Sequence, residues 1–159
     1  AHPDRPVIAL VGDGAMQMNG NAELVTLQQY WKRFSNPTFI VMVLNNGDLN
    51  QVTWEQRALA GDPKFAPAQD VLDFPYARYG ELLGFKGLRI HRPDEVADAW
   101  QQAFEADRPV VLEFVTDPSV PPLPPHISFE QARAFLGAIA SGDPNRWDML
   151  KQGARQLLR

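Results

Sequence analysis

Two short polar side chains occupy matching places in this sequence: Asp13 in Gly12-Asp13-Gly14-Ala15, and Asn46 in Asn45-Asn46-Gly47, about thirty residues later. Each follows an apolar run, residues 6–11 and 38–44, that reads as a buried strand. Each therefore stands just past a strand's carboxyl end, where open parallel α/β sheets bind ligands. One carboxylate and one amide oxygen beside a glycine turn suit a magnesium ion holding a diphosphate. That ion takes oxygen ligands and uses few protein carboxylates. A glycine after the strand allows a phosphate to approach the backbone closely. The amides of Gly14 and Ala15, at the amino end of the next helix, can then face phosphate oxygens. Taken singly, each half has an ordinary explanation. The first could be a strand-to-helix turn with Asp13 as a cap, and the second a tight turn that favours left-handed residues. Both halves together, each on the end of an apolar strand, favour the cofactor site.

The elements that must position these residues alternate. Residues 6–11 read as a strand covered on both faces. A helix over 19–34 has Leu24, Leu27, Trp31 and Phe34 at helical spacing, and Asn36-Pro37 ends it. A second buried strand spans 38–44. Residues 45–73 form a long functional loop with a short helix near 52–59. A helix over 74–83 turns Phe74, Ala77 and Tyr79 or Leu82 inward, and a short strand covers 87–90. A helix over 93–106 buries Val96, Trp100, Ala103 and Phe104, and a further buried strand spans 109–116. This alternation predicts an α/β fold: a doubly wound, mostly parallel sheet with helices on both faces. Only four strands are convincing and the chain opens almost directly in the first. The expectation is a C-terminal piece that lacks the N-terminal elements of its sheet. The expected organisation is an α/β domain over 1–116, then a proline-rich arm and C-terminal helices over 117–159. Ser128 and Gln131 form a capping box for a helix over 128–140, and Asp143-Pro144 opens the last helix.

Composition excludes several functions. The chain has no cysteine, which removes disulfides, thiolate metal sites and cysteine nucleophiles. Its net charge of −4, with no basic block, argues against nucleic-acid binding. No stretch approaches the roughly 20 apolar residues of a membrane span, and the first residues form no signal peptide. A cytoplasmic location is expected. His2, His91 and His126 stand in unrelated contexts without metal-ligand spacing, so each reads as a surface or structural histidine.

The Gly-Asp-Gly and Asn-Asn segments at this spacing resemble the signature of thiamine diphosphate-dependent enzymes. The likeness extends over nearly the whole chain to the C-terminal diphosphate-binding domain of the pyruvate oxidase and acetolactate synthase branch. It implies thiamine diphosphate and Mg2+ as cofactors, with FAD possible through domains absent from this chain. It implies Asp13, Asn46 and the main-chain carbonyl of Asp48 as metal ligands. Gly12, Gly14, Ala15 and Val52 join them around the cofactor. Glu55 falls where pyruvate oxidases often carry an active-site acid, and a buried carboxyl there could relay protons. Gln51 stands where many members of the branch have an aromatic residue.

By the same resemblance the substrate is pyruvate or a related 2-oxo acid, and decarboxylating oxidation is the leading activity. Acetolactate synthase-type carboligation is the alternative. A non-catalytic module that binds a phosphorylated metabolite or supports assembly is the alternative of another class. The glutamate that protonates the cofactor's aminopyrimidine belongs to another domain in this family, usually on a partner subunit. The chain alone is therefore expected to be inactive, and a homodimer or homotetramer is expected. The last helix sets Trp147, Leu150, Ala154, Leu157 and Leu158 on one side, interleaved with Arg146, Lys151, Arg155 and Arg159. It resembles the tail by which a quinone-dependent pyruvate oxidase meets the inner membrane surface. A peripheral membrane contact and a helix packed on its own subunit both remain open.

Overall fold

A computed structural model describes the chain at residues 2–120 and 128–157, with side chains as far as Gln152. Two compact units emerge, Ala1–Asn46 with Leu72–Thr116, and Gly47–Val71 with Asp117–Arg159. A boundary between the units falls after Thr116. The excursion over 47–71, read from sequence as part of the first domain, groups with the C-terminal segment instead.

The first unit is built on four parallel strands, β1 (Val7–Gly12), β2 (Phe39–Asn45), β3 (Lys86–Ile90) and β4 (Val110–Val115). Their order is β1-β2-β4-β3. Alternate side chains feed two cores. Val41, Val43 and Val111 pack with Leu24 of helix α2 (Asn21–Tyr30) and Tyr76 of helix α5 (Tyr76–Leu82). On the opposite face Ile40, Leu112 and Phe114 pack with Ala99 and Ala103 of helix α6 (Val96–Phe104). The α/β class with helices on both faces holds. Gly12 pairs with Leu44, and Asn45 with Val115, so Asp13 and Asn46 follow the same ends of neighbouring strands.

Local expectations change or narrow. β1 is not covered on both faces: Val7, Ile8 and Leu10 are 40%, 45% and 66% exposed. Among the described residues β1 pairs only with β2, and Ala9 and Val11 alone reach a core. The first helix does not wait until residue 19. The chain passes from β1 directly into α1 (Asp13–Ala15), a π-helical turn (Met16–Gly20) and α2. Gly20 admits the Met16 side chain against the backbone, where any Cβ would collide with its sulfur. In α5 it is Tyr79 that packs inward, while Leu82 is exposed. Phe104 of α6 is also half exposed, although it stacks on Trp100 with ring centroids 5.8 Å apart.

The second unit contains α3 (Asn50–Glu55), a π-helical turn (Gln56–Ala60), α4 (Ala66–Gln69), α7 (Phe129–Ala140) and α8 (Arg146–Leu157). The reciprocal Ser128–Gln131 box opens α7 as expected. Phe135 of α7 stacks on Trp54 of α3 at 5.5 Å between centroids. Arg57 and Asp143, both almost wholly buried, pair at 2.7 and 2.9 Å. Burial would raise the Asp143 carboxyl, but the Arg57 guanidinium and the N–H groups of Lys64 and Asn145 outweigh it. They hold Asp143 below the usual carboxylate range. In α8 the buried side chain is Met149, whereas Trp147 and Leu150 are exposed. Ala154, Leu157 and Leu158 of the expected apolar side lie outside the described side chains, as do residues 121–125 of the proline arm and His126. Among the described residues no helix is long and apolar enough to cross a membrane.

Candidate functional site

Asp13 is the first residue beyond β1, and its carboxylate is buried at 3% exposure. Oδ1 accepts the Gly14 N–H at 2.8 Å and Oδ2 accepts the Asn46 N–H at 3.0 Å. A single side chain thus ties together the two chemical halves, 33 residues apart in sequence. Gly14, expected to offer its amide to a phosphate, offers it to Asp13 here. The Tyr76 hydroxyl donates to the Asp13 carbonyl at 3.0 Å. Burial pushes the Tyr76 phenol up, the Gln17 amide opposes this, and the negative charge of Asp13 adds to the rise. Tyr76 therefore remains a protonated donor at neutral pH.

Asn45 ends β2 and is buried. Its carbonyl accepts the Thr116 N–H at 2.9 Å. Its side-chain amide donates to Glu113 Oε1 at 2.8 Å and to Asp73 Oδ1 at 3.0 Å. Glu113 lies fully buried in β4, where Oε2 also accepts the Ala77 N–H at 3.0 Å and Arg89 Nε stands 3.4 Å away. The bond from Asn45, followed by that from Arg89, holds the Asp73 carboxyl below its ordinary value.

Backbone conformation separates the two explanations of the turn. Gly47 has φ +68°, the left-handed region that favours glycine, but no described non-glycine residue has positive φ. A tight turn therefore accounts for Gly47 and for neither asparagine. Gly12 has φ −80°, and a Cβ there would meet nothing within 4 Å. The space against the end of β1 is open, as a bound group lying on the backbone requires. The residues that follow the ends of β1 and β2 include a carboxylate, Asp13, and an amide, Asn46, whose hard oxygens are of the type that fits magnesium. Among the described residues no three His, Cys, Asp or Glu side chains converge on a metal-sized point. A metal here must draw on main-chain, amide and ligand oxygens as well.

Asp48 belongs to the second unit. Its carboxylate accepts Thr53 Oγ1 at 2.8 Å and Asn50 Nδ2 at 3.1 Å, and pairs with Lys64 at 3.0 Å. Lys64 also reaches Asp70 at 2.6 Å. The Asp48 side chain is thus engaged by its own unit, and the atom implied as a ligand is its carbonyl. On α3, Thr53 and Trp54 face inward, and Trp54 Nε1 donates to the Pro118 carbonyl at 3.3 Å. Val52 is 50% exposed, and Glu55 is exposed and accepts the Gln51 amide at 2.8 Å. The burial that a proton relay at Glu55 would use is absent among the described residues, and its carboxyl lies on the same helical face as Val52. Ala15, His2 and His91 are exposed.

Sequence reasoning missed Tyr76, Glu113 and the side-chain role of Asn45. Glu113 carried a usable signal, because it is the single charge inside Val110–Val115. A carboxylate in a buried strand must be paired, so its presence announces a partner network.

Residues 1–114 match the family model described as thiamine pyrophosphate enzyme, C-terminal TPP binding domain. The chain is 31% identical over 135 residues to YdaP of Bacillus subtilis, a protein designated as thiamine pyrophosphate-containing, across 85% of this chain and 22% of that one. It is 32% identical over 113 residues to the acetolactate synthase large subunit of Haemophilus influenzae, across 70% of this chain and 18% of that one. Among solved structures, the thiamine diphosphate-dependent 4-hydroxybenzoylformate decarboxylase of Rhodococcus jostii RHA1 superposes with a TM-score of 0.60 at 27% identity. The match covers 72% of this chain and 20% of that one. The chain thus spans about a fifth of the length of these relatives.

Proposed function

Because the chain belongs to the thiamine pyrophosphate enzymes, as their C-terminal cofactor-binding domain, we propose that the full-length protein decarboxylates a 2-oxo acid with thiamine diphosphate and Mg2+. Pyruvate or a close relative is the substrate, and decarboxylating oxidation is the first reading. The observation that carries the cofactor assignment is the buried Asp13 carboxylate held against Asn46 at the ends of neighbouring strands. Asp13 and the Asn46 side chain hold the metal, with the Asp48 carbonyl as the third protein ligand implied by the signature. The open backbone at Gly12 receives the diphosphate. When bound, the cofactor supplies the electron sink that decarboxylation of a 2-oxo acid needs. Val52 offers apolar surface to the substrate, and Glu55 holds or passes a proton beside it. The Gln51 amide orients the Glu55 carboxylate.

A second reading, acetolactate synthase-type carboligation, is favoured by the relative of that name. The two differ in what leaves the site: electrons pass to flavin in oxidation, whereas the two-carbon fragment passes to a second 2-oxo acid in carboligation. The discriminating experiment adds pyruvate anaerobically to full-length protein carrying thiamine diphosphate and Mg2+, following flavin absorbance and acetolactate together. Bleaching of the flavin without acetolactate supports oxidation. Acetolactate without bleaching supports carboligation. Absence of any pyruvate consumption, tested also with longer 2-oxo acids, contradicts both and leaves a non-catalytic binding module.

A further inference from the structure

We propose that Glu113 is a positioning residue for the metal site, acting through Asn45 on the strand end from which Asn46 projects. The inference rests on the magnesium reading of Asp13 and Asn46 given above. Both amide hydrogens of Asn45 are committed, one toward Glu113 Oε1 and one toward Asp73 Oδ1. Its carbonyl is committed to Thr116. Asn45 therefore cannot rotate without breaking bonds to β4 and to the segment before α5. The next peptide N–H, that of Asn46, meets Asp13 Oδ2. A shift at Asn45 is passed along one peptide unit to both proposed side-chain ligands.

Why a glutamate occupies this position follows from donor counting. Two N–H donors approach it, one on each oxygen: Asn45 at Oε1 and the Ala77 backbone at Oε2. Only a carboxylate accepts on both oxygens. A glutamine must turn its own NH2 toward one of the two donors. Arg89, 3.4 Å from Oε1 and also bonded to Asp73, supplies the positive charge that a buried carboxylate needs. The arrangement thus explains a charge in the middle of a strand whose other residues, Val115 excepted, are buried and apolar.

The test is a magnesium titration of full-length protein at saturating thiamine diphosphate, read by calorimetry, beside the melting temperature of the metal-free protein. Glu113→Gln is expected to raise the apparent Mg2+ dissociation constant about tenfold, the usual scale for losing a group that orients a metal ligand. Asn45→Ala is expected to do the same. In the Asn45→Ala background, Glu113→Gln adds less than about a twofold further change, because the two act as one unit. An unchanged Mg2+ constant in Glu113→Gln, whatever the melting temperature, overturns the proposal. So does a double variant whose losses multiply. Should Glu113→Gln not fold, Asp73→Ala decides. It removes the other acceptor of Asn45 from a side chain that is 66% exposed. A rise of about threefold is expected, on the scale of one hydrogen bond, and no rise overturns the proposal. If wild-type protein binds thiamine diphosphate without regard to Mg2+, the metal reading itself fails, which is a different result from a normal wild type with an unaffected variant.

Discussion

In the first unit Asp13 meets a backbone N–H at the end of the neighbouring strand, whereas in the second Arg57 meets Asp143 side chain to side chain across 86 residues of sequence. The sheet unit gets its order from apolar runs that alternate between two cores. Its polar groups are then placed by register, since Gly12 and Leu44 are paired before any side chain acts. The helical unit has little of this. The segments before its two long helices are short, α3 with the π-helical turn after it and the four-residue α4, and it holds a buried ion pair beside Trp54, whose ring lies 5.0 Å from the Arg57 guanidinium. The two side chains proposed to hold the metal, Asp13 and Asn46, belong to the part ordered by register. The exposed face carrying Val52 and Glu55 sits on the part ordered by charge.

The strongest way to break this contrast is Arg57→Met. It leaves the Asp143 carboxylate buried without its cation, which costs about 3–5 kcal/mol. Hydrogen exchange should show lost protection in α3 and α7 while amides of β2 and β4 keep theirs. Equal loss in the strands would mean that the sheet unit also depends on this pair. The converse variant is Gly87→Ala. A Cβ there runs into the Ala77 carbonyl of α5, a backbone atom that cannot swing aside. Overpacking of this kind costs about 1–3 kcal/mol, and here it should weaken β3 and α5 and spare α3. The smallest effect is acid. Asp143 has a depressed folded value, so its stabilising contribution is complete above the unfolded value of about 3.9 and is lost as pH falls through the lower folded one. Asp73 of the sheet unit is depressed too but is mostly exposed, whereas Asp143 is buried, so below about pH 4 the helical unit should lose protection first, and simultaneous loss of both units would contradict the assignment.

Legibility from sequence followed how local each signal is. The strands were readable because Val7–Gly12, Phe39–Asn45 and Val110–Val115 are almost unbroken apolar runs, and Asp13 and Asn46 because they end two of them. The Ser128 box was readable because its partners are three residues apart. Arg57 and Asp143 were not, since each looks like a surface charge until the fold brings them together. The early start of the first helix was hidden by two glycines that lower helix propensity, and by a carboxylate whose bonds to Gly14 and Asn46 exist only once the strands pair. The exposure of β1 was invisible for another reason: composition reports how apolar a strand is, not what layer lies on it.

The central claim is that Asp13 anchors a magnesium-bound diphosphate. Its most direct test is calorimetric titration of full-length protein with thiamine diphosphate, with and without Mg2+, in wild type and Asp13→Ala. The account predicts tight binding by wild type only when Mg2+ is present, and loss of that magnesium-dependent binding in Asp13→Ala at an unchanged fold. Binding that is indifferent to both Mg2+ and Asp13 would contradict it.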